Sequence, residues 1–107
     1  GLLTGKYQDG KVPDNSRLKA SPGLMGRFNQ RSLLAVQNYL SIAKKYEINP
    51  VHLALAFCNQ KPFMGSIIFG ATTKEQLKTI INGIDTKLPT EMLSDLDKVH
   101  REFPFPI

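Results

Sequence analysis

The amino-acid sequence predicts an α/β unit that is mostly helical and holds one short buried strand. Three observations predict it. Apolar residues recur at helical spacing in several segments, Ser66-Ile67-Ile68-Phe69 is a β-branched and aromatic run bounded by Gly65 and Gly70, and a helix-start signature follows that run at once. The 107 residues suffice for one small domain. A composition of 41% hydrophobic and 21% charged residues is ordinary for a globular chain, and no apolar run approaches the ~18 residues that a membrane span requires.

Residues 1–26 contain Gly1, Gly5, Gly10, Pro13, Pro22 and Gly26 without sustained periodicity, which predicts a long loop with one short helical turn. From Phe28 to Tyr46 the residues Val36, Tyr39, Leu40 and Ala43 fall at i, i+3, i+4 and i+7, with Leu33 extending the same face, so an amphipathic helix is expected. It should stop near Glu47, because Pro50 biases Asn49 away from helical torsions. Asn49 can then cap a second helix with Pro50 at its first position. Val51 to Cys58 is apolar nearly all round, which predicts burial on most sides, and Lys61-Pro62 ends the helix.

Ser66–Phe69 reads as a strand buried on both faces, as in a parallel sheet. Behind it, Thr73 and Gln76 have capping-box spacing, and Leu77, Ile80, Ile81 and Ile84 form a helical stripe. A last helix from about Pro89 to Arg101 should turn Leu93, Leu96 and Val99 inward, and the tail Phe103-Pro104-Phe105-Pro106 should lie over apolar surface.

Charge is concentrated at one end. Residues 1–31 hold Lys6, Lys11, Arg17, Lys19, Arg27 and Arg31 against Asp9 and Asp14, so four of the five net positive charges sit there. A basic loop rich in glycine suits a phosphate-bearing ligand, since backbone N–H groups and Lys or Arg supply donors and positive potential. The turn Gly70-Ala71-Thr72 ahead of a capped helix is a second such place, because a helix N-terminus offers free N–H groups and partial positive charge at the carboxyl end of a strand. The single cysteine, Cys58, excludes an internal disulfide and points to a reducing, cytoplasmic setting. The opening Gly1-Leu2-Leu3, with no initiator methionine and no leader pattern, predicts a piece of a longer polypeptide.

Gly1-Leu2-Leu3-Thr4-Gly5-Lys6-Tyr7, then Pro13 and Ser16-Arg17, then Leu53-Ala54-Leu55-Ala56-Phe57, then Gly70-Ala71-Thr72-Thr73-Lys74-Glu75-Gln76-Leu77 stand in an order that resembles the C-terminal third of an aldo-keto reductase. The branch it resembles is that of bacterial reductases similar to potassium-channel β subunits. The resemblance implies the C-terminal segment of a (β/α)8 TIM barrel of about 250 residues. It places residues 1–27 as a cofactor-phosphate loop, and residues 66–84 as the last barrel strand and the start of a cofactor-binding helix. It implies NADP(H) as cofactor. Gly1, Lys6 and Arg17 match positions that hold the cofactor phosphates, and Gly70, Thr72 and Gln76 match positions around the adenosine 2′-phosphate. Family members carry an acidic residue and an asparagine at the adenine; here those positions are Thr79 and Ile80. The family's catalytic Asp, Tyr, Lys and His come from earlier strands, so no catalytic residue is expected in this chain, and Lys6-Tyr7 is no substitute for that constellation.

His52 and His100 lie in apolar and terminal helices without metal-ligand spacing, Cys58 reads as a small apolar side chain, and Glu91, Asp95 and Asp97 read as the outer face of the last helix, so no metal site is expected. The implied function is the NADP(H)-clamping part of a reductase of aldehydes or ketones. The alternative is a non-catalytic, NADP-binding regulatory subunit. A nucleic-acid-binding domain is disfavoured, because the positive charge lies in a loop and neither a helix-turn-helix nor an aromatic platform is evident.

Overall fold

Helix starts in this chain are set by short polar side chains that accept from otherwise orphaned N–H groups. The computed structural model describes all 107 residues. Ser16 accepts from the Lys19 N–H to open the short α1 (Arg17–Ala20). Asn29 and Ser32 exchange side-chain and backbone bonds to open α2 (Gln30–Lys45), a reciprocal cap built with serine at the third position. Asn49 accepts from Val51 N–H, with Pro50 first in α3 (Pro50–Asn59), as the sequence predicts. Thr73 accepts from Gln76 N–H to open α4 (Lys74–Asn82). The last helix, α5 (Thr90–Glu102), follows Pro89 without a side-chain cap.

Helices α2, α3 and α5 enclose the main core. Ile42 and Ala43 from α2, Leu53 and Ala56 from α3, and Leu88, Met92, Leu96 and Val99 from and just before α5 form one apolar cluster, with Tyr39, Tyr46, Ile48, Leu93 and Phe103 packed around it. Asp95 contradicts its reading as an outer-face residue. It is held between helices, accepting from Lys45 Nζ at 2.7 Å, the Tyr46 hydroxyl at 3.0 Å and Lys98 Nζ at 3.3 Å.

The predicted opening loop is ordered by 3-10 turns at Leu2–Thr4, Gln8–Gly10 and Pro22–Leu24. Tyr7, Leu18 and Leu24 form a second small core beneath it, with Leu2 and Phe28 against them. Gly5 permits this docking. Its φ is +77°, and a Cβ there would press on the Leu40 methyls of α2.

Several apolar segments stand uncovered together. Ser66–Phe69 forms no paired strand, and Ile68 is 97% exposed and Phe69 49% exposed. A strand is defined by its ladder, and these residues have no neighbouring strand to pair with. On α3 only Leu53 and Ala56 are buried, and α4 buries no residue at all; the helix ends at Asn82, so the predicted stripe stops at Ile81 and Ile84 follows beyond the Gly83 cap. The uncovered apolar surfaces of Ile67, Phe69, Leu55, Ile80, Ile81 and Ile84 line a shallow groove of about 220 Å3. The tail divides: Phe103 packs on the core while Phe105 stands exposed. No helix is long and apolar enough to cross a membrane.

Candidate functional site

Two stretches far apart in sequence meet around one cavity of about 460 Å3. Gly1, Lys6 and Arg17 line it from the opening segment, and Gly70, Thr72 and Gln76 line it from the turn before α4. All six residues singled out from the sequence therefore share one space. The small core of Tyr7, Leu18 and Leu24 fixes the first wall. Ser16 caps α1 so that Arg17 leads that helix into the cavity, and the Thr73 cap fixes the second wall.

At the start of α4 the predicted capping box is half formed. Thr73 Oγ1 accepts from Gln76 N–H at 3.1 Å, but the Gln76 side chain reaches past Thr73 to Thr72. Gln76 Oε1 accepts from both the N–H of Thr72 at 2.8 Å and its hydroxyl at 3.1 Å. With its oxygen engaged, the Gln76 amide presents its NH2 as the remaining donor. The N–H groups of Lys74 and Glu75 have no intrahelical acceptor, so the positive end of the α4 dipole lies beside the wall formed by Gly70, Ala71, Thr72 and Gln76.

At the other end of α4, His52 Nε2 meets the Thr79 carbonyl oxygen at 2.7 Å. A carbonyl only accepts, so Nε2 carries the proton and donates. His52 thus acts as a structural tie between α3 and α4, and a Cβ on Gly83 would collide with its imidazole.

The electrostatics of the cavity are one-sided. Arg27 joins Lys6 and Arg17 in its wall, no carboxylate lines it, and none of these three cations takes part in an ion pair. Such a site attracts an anion of high charge, for which Arg and Lys supply directional and point-charge donors respectively. Sequence reasoning missed Arg27, Asn15 and Ser21. Arg27 was visible only as part of the basic segment, and no local spacing rule links it to residue 70.

The other large cavity, about 480 Å3, is lined chiefly by Leu3, Tyr39, Leu53, Phe57, Leu93 and Leu96, with Lys61, Asp97 and His100 also in its wall. No group of three or more His, Cys, Asp or Glu residues is placed to hold a metal ion. Cys58 is half-buried on α3.

The model of the aldo/keto reductase family matches residues 1–101. The chain belongs to the aldo/keto reductase family. It is 34% identical over 106 residues to Protein tas of Escherichia coli (strain K12), an alignment covering 99% of this chain and 31% of that protein. It is 32% identical over 114 residues to a putative voltage-gated potassium channel subunit beta of Schizosaccharomyces pombe, covering all of this chain and 33% of the relative. A probable voltage-gated potassium channel subunit beta of Arabidopsis thaliana is 32% identical over 104 residues, covering 94% of this chain and 31% of the relative. The chain thus spans about a third of the length of the curated relatives it matches. Membership in an aldo/keto reductase family implies a (β/α)8 barrel, and of that architecture the described residues contribute helices and connecting turns.

Proposed function

We propose that this chain is the NADP(H)-clamping C-terminal part of an aldo/keto reductase that reduces aldehydes or ketones by hydride transfer. The observation that carries this reading is the single cavity where Lys6, Arg17 and Arg27 converge, without a carboxylate, on the start of α4. The chemistry of that donor set suits a dinucleotide phosphate. In this reading Gly1, Lys6 and Arg17 bind the phosphates common to NADPH and NADH, and Gly70, Thr72 and Gln76 surround the 2′-phosphate. Gly1 lets the cofactor approach the backbone closely, the Lys6 and Arg17 charges orient it, and the Gln76 NH2 donates to the 2′-phosphate. When bound, the cofactor supplies the hydride. Proton delivery falls to residues outside these 107, so the chain alone lacks reductase activity, and the active protein is cytoplasmic.

The measurement is a fluorescence titration of the complete protein with NADPH and NADH at fixed ionic strength. Hydrogen bonds to a charged group are worth about 1.5–3 kcal/mol each, so NADPH should bind about tenfold or more tightly than NADH. Thr72→Asp should erase the preference by setting a carboxylate against the 2′-phosphate, while Arg17→Ala weakens both cofactors. Equal affinity of the unmodified protein for the two cofactors overturns the reading. A second reading, a non-catalytic NADP-binding regulatory subunit, draws on the similarity to the potassium channel subunit beta relatives of Schizosaccharomyces pombe and Arabidopsis thaliana. It predicts the same binding without carbonyl turnover by the complete protein.

A further inference from the structure

Tyr7 is 2% exposed, and its hydroxyl has no hydrogen-bond partner within the chain. No side-chain nitrogen or oxygen that is sealed from solvent lacks a partner, so the unpaired hydroxyl is not sealed in the core. Tyr7 lines the cationic cavity, and the hydroxyl end of its ring lies against Gly1, whose ideal Cβ position is 3.6 Å from the oxygen. The ring itself is fully accounted for by packing. It sits in the small core with Leu18 and Leu24, and the Phe28 ring meets it edge-on at 6.1 Å between centroids. Lys6 Nζ stands 5.2 Å from the ring centroid, close enough for the ring face to steady the ammonium.

A phenylalanine would supply all of that packing. Within the chain nothing accepts from the hydroxyl, and the cavity it opens on carries Lys6, Arg17 and Arg27, whose charges draw an anionic acceptor to its side. We propose that Tyr7 is a ligand-binding residue whose O–H donates to a phosphate oxygen of the dinucleotide, beside Gly1 and Lys6. This rests on the reading of the cavity as the NADP(H) site and adds a neutral donor to its cations. Because Tyr7 adjoins Gly1 and Lys6 in the opening segment, its acceptor belongs to the phosphates that NADPH and NADH share.

Tyr7→Phe in the complete protein tests it, with NADPH and NADH titrated by fluorescence and a thermal melt of each variant without ligand. The expected result is binding weakened about tenfold for both cofactors, with the ratio between them and the ligand-free melting temperature unchanged. Unaltered affinity for both cofactors overturns the proposal while leaving the cavity's assignment intact, provided Arg17→Ala still weakens binding. A lowered melting temperature with unaltered affinity also overturns it, and shows that the hydroxyl is satisfied inside the fold. Should Tyr7→Phe change only the NADPH affinity, the assigned acceptor is wrong and the proposal falls. Should the unmodified protein bind neither cofactor, the reading of the cavity falls and this proposal with it.

Discussion

Helices α4 and α5 carry the same kind of sequence and meet opposite fates. Both are amphipathic, with apolar residues at helical spacing. Yet α5 buries Met92, Leu96 and Val99 whereas α4 buries nothing. The difference lies in their partners. Helix α5 packs against α2, which the chain supplies, while the apolar stripe of α4 and the adjoining Ile67–Phe69 form an open groove. A periodic stripe states which face requires cover; it does not state whether the cover is part of the same 107 residues. Each substitution below breaks or sharpens that contrast.

Met92 is 0% exposed at the centre of the main core, and Ile81 on α4 is 55% exposed. In the 107-residue chain Met92→Ala should therefore cost about 2–5 kcal/mol in denaturant unfolding, the range for truncating a buried side chain. Ile81→Ala should change stability by about 0.5 kcal/mol or less, as at a surface position. In the complete protein the Ile81 cost should rise several-fold if further chain covers the groove. Equal costs for the two residues in the 107-residue chain would dissolve the contrast between the helices.

Gly83 lies where His52 of α3 ties down the end of α4. Alanine there pushes the His52 imidazole away from the Thr79 carbonyl. Gly83→Ala should cost about 1–3 kcal/mol, the range for overpacking a close contact. Made together with His52→Ala, the same change should cost far less, because the clash is gone. A double-mutant cycle reads this coupling directly. Additive effects would show that His52 does not hold α4 in place.

What was legible in the sequence was local. The Asn49-Pro50 helix start, the stripe of α2 and the Thr73 cap of α4 all depend on neighbours within one helical turn, and they formed, the α4 capping box in its Thr73 half alone. The two segments proposed to bind an anion are each readable alone for the same reason. Their meeting around one cavity is a property of tertiary packing that no spacing rule encodes. Arg27 and Tyr7 carry no local signal for this cavity, because a residue's place in a wall shows only when the wall is assembled. Ser66–Phe69 stays unpaired because pairing is non-local, and the propensity of Ile and Phe cannot create a neighbour. Asp95 was misassigned on the same ground. Its polar character placed it outside, whereas Lys45 and Tyr46, about fifty positions earlier, draw it into the α2–α5 contact.

That contact gives the smallest of the expected effects and the one with a defined pH signature. Hydrogen bonds from Lys45, then Tyr46 and Lys98, lower the Asp95 carboxyl from 3.8 to about 2. The same contact raises Lys45 above its usual value. Because the folded-state pKa of Asp95 lies below the unfolded one, its contribution is fully present above pH 3.8. It drains away as pH falls from there through about 2. Asp95→Asn should flatten the acid limb of the stability curve across that window and lower stability only modestly at neutral pH, since Tyr46 can still donate to the amide oxygen. Asp97, paired at 2.8 Å with Arg101 on the exposed side of the same helix, is the control. Asp97→Asn should leave stability within about 1 kcal/mol, as for surface ion pairs. Urea midpoints between pH 2 and 5 separate the two positions. An acid slope that survives in the Asp95→Asn protein would place the acid sensitivity elsewhere and remove Asp95 as the polar link between α2 and α5.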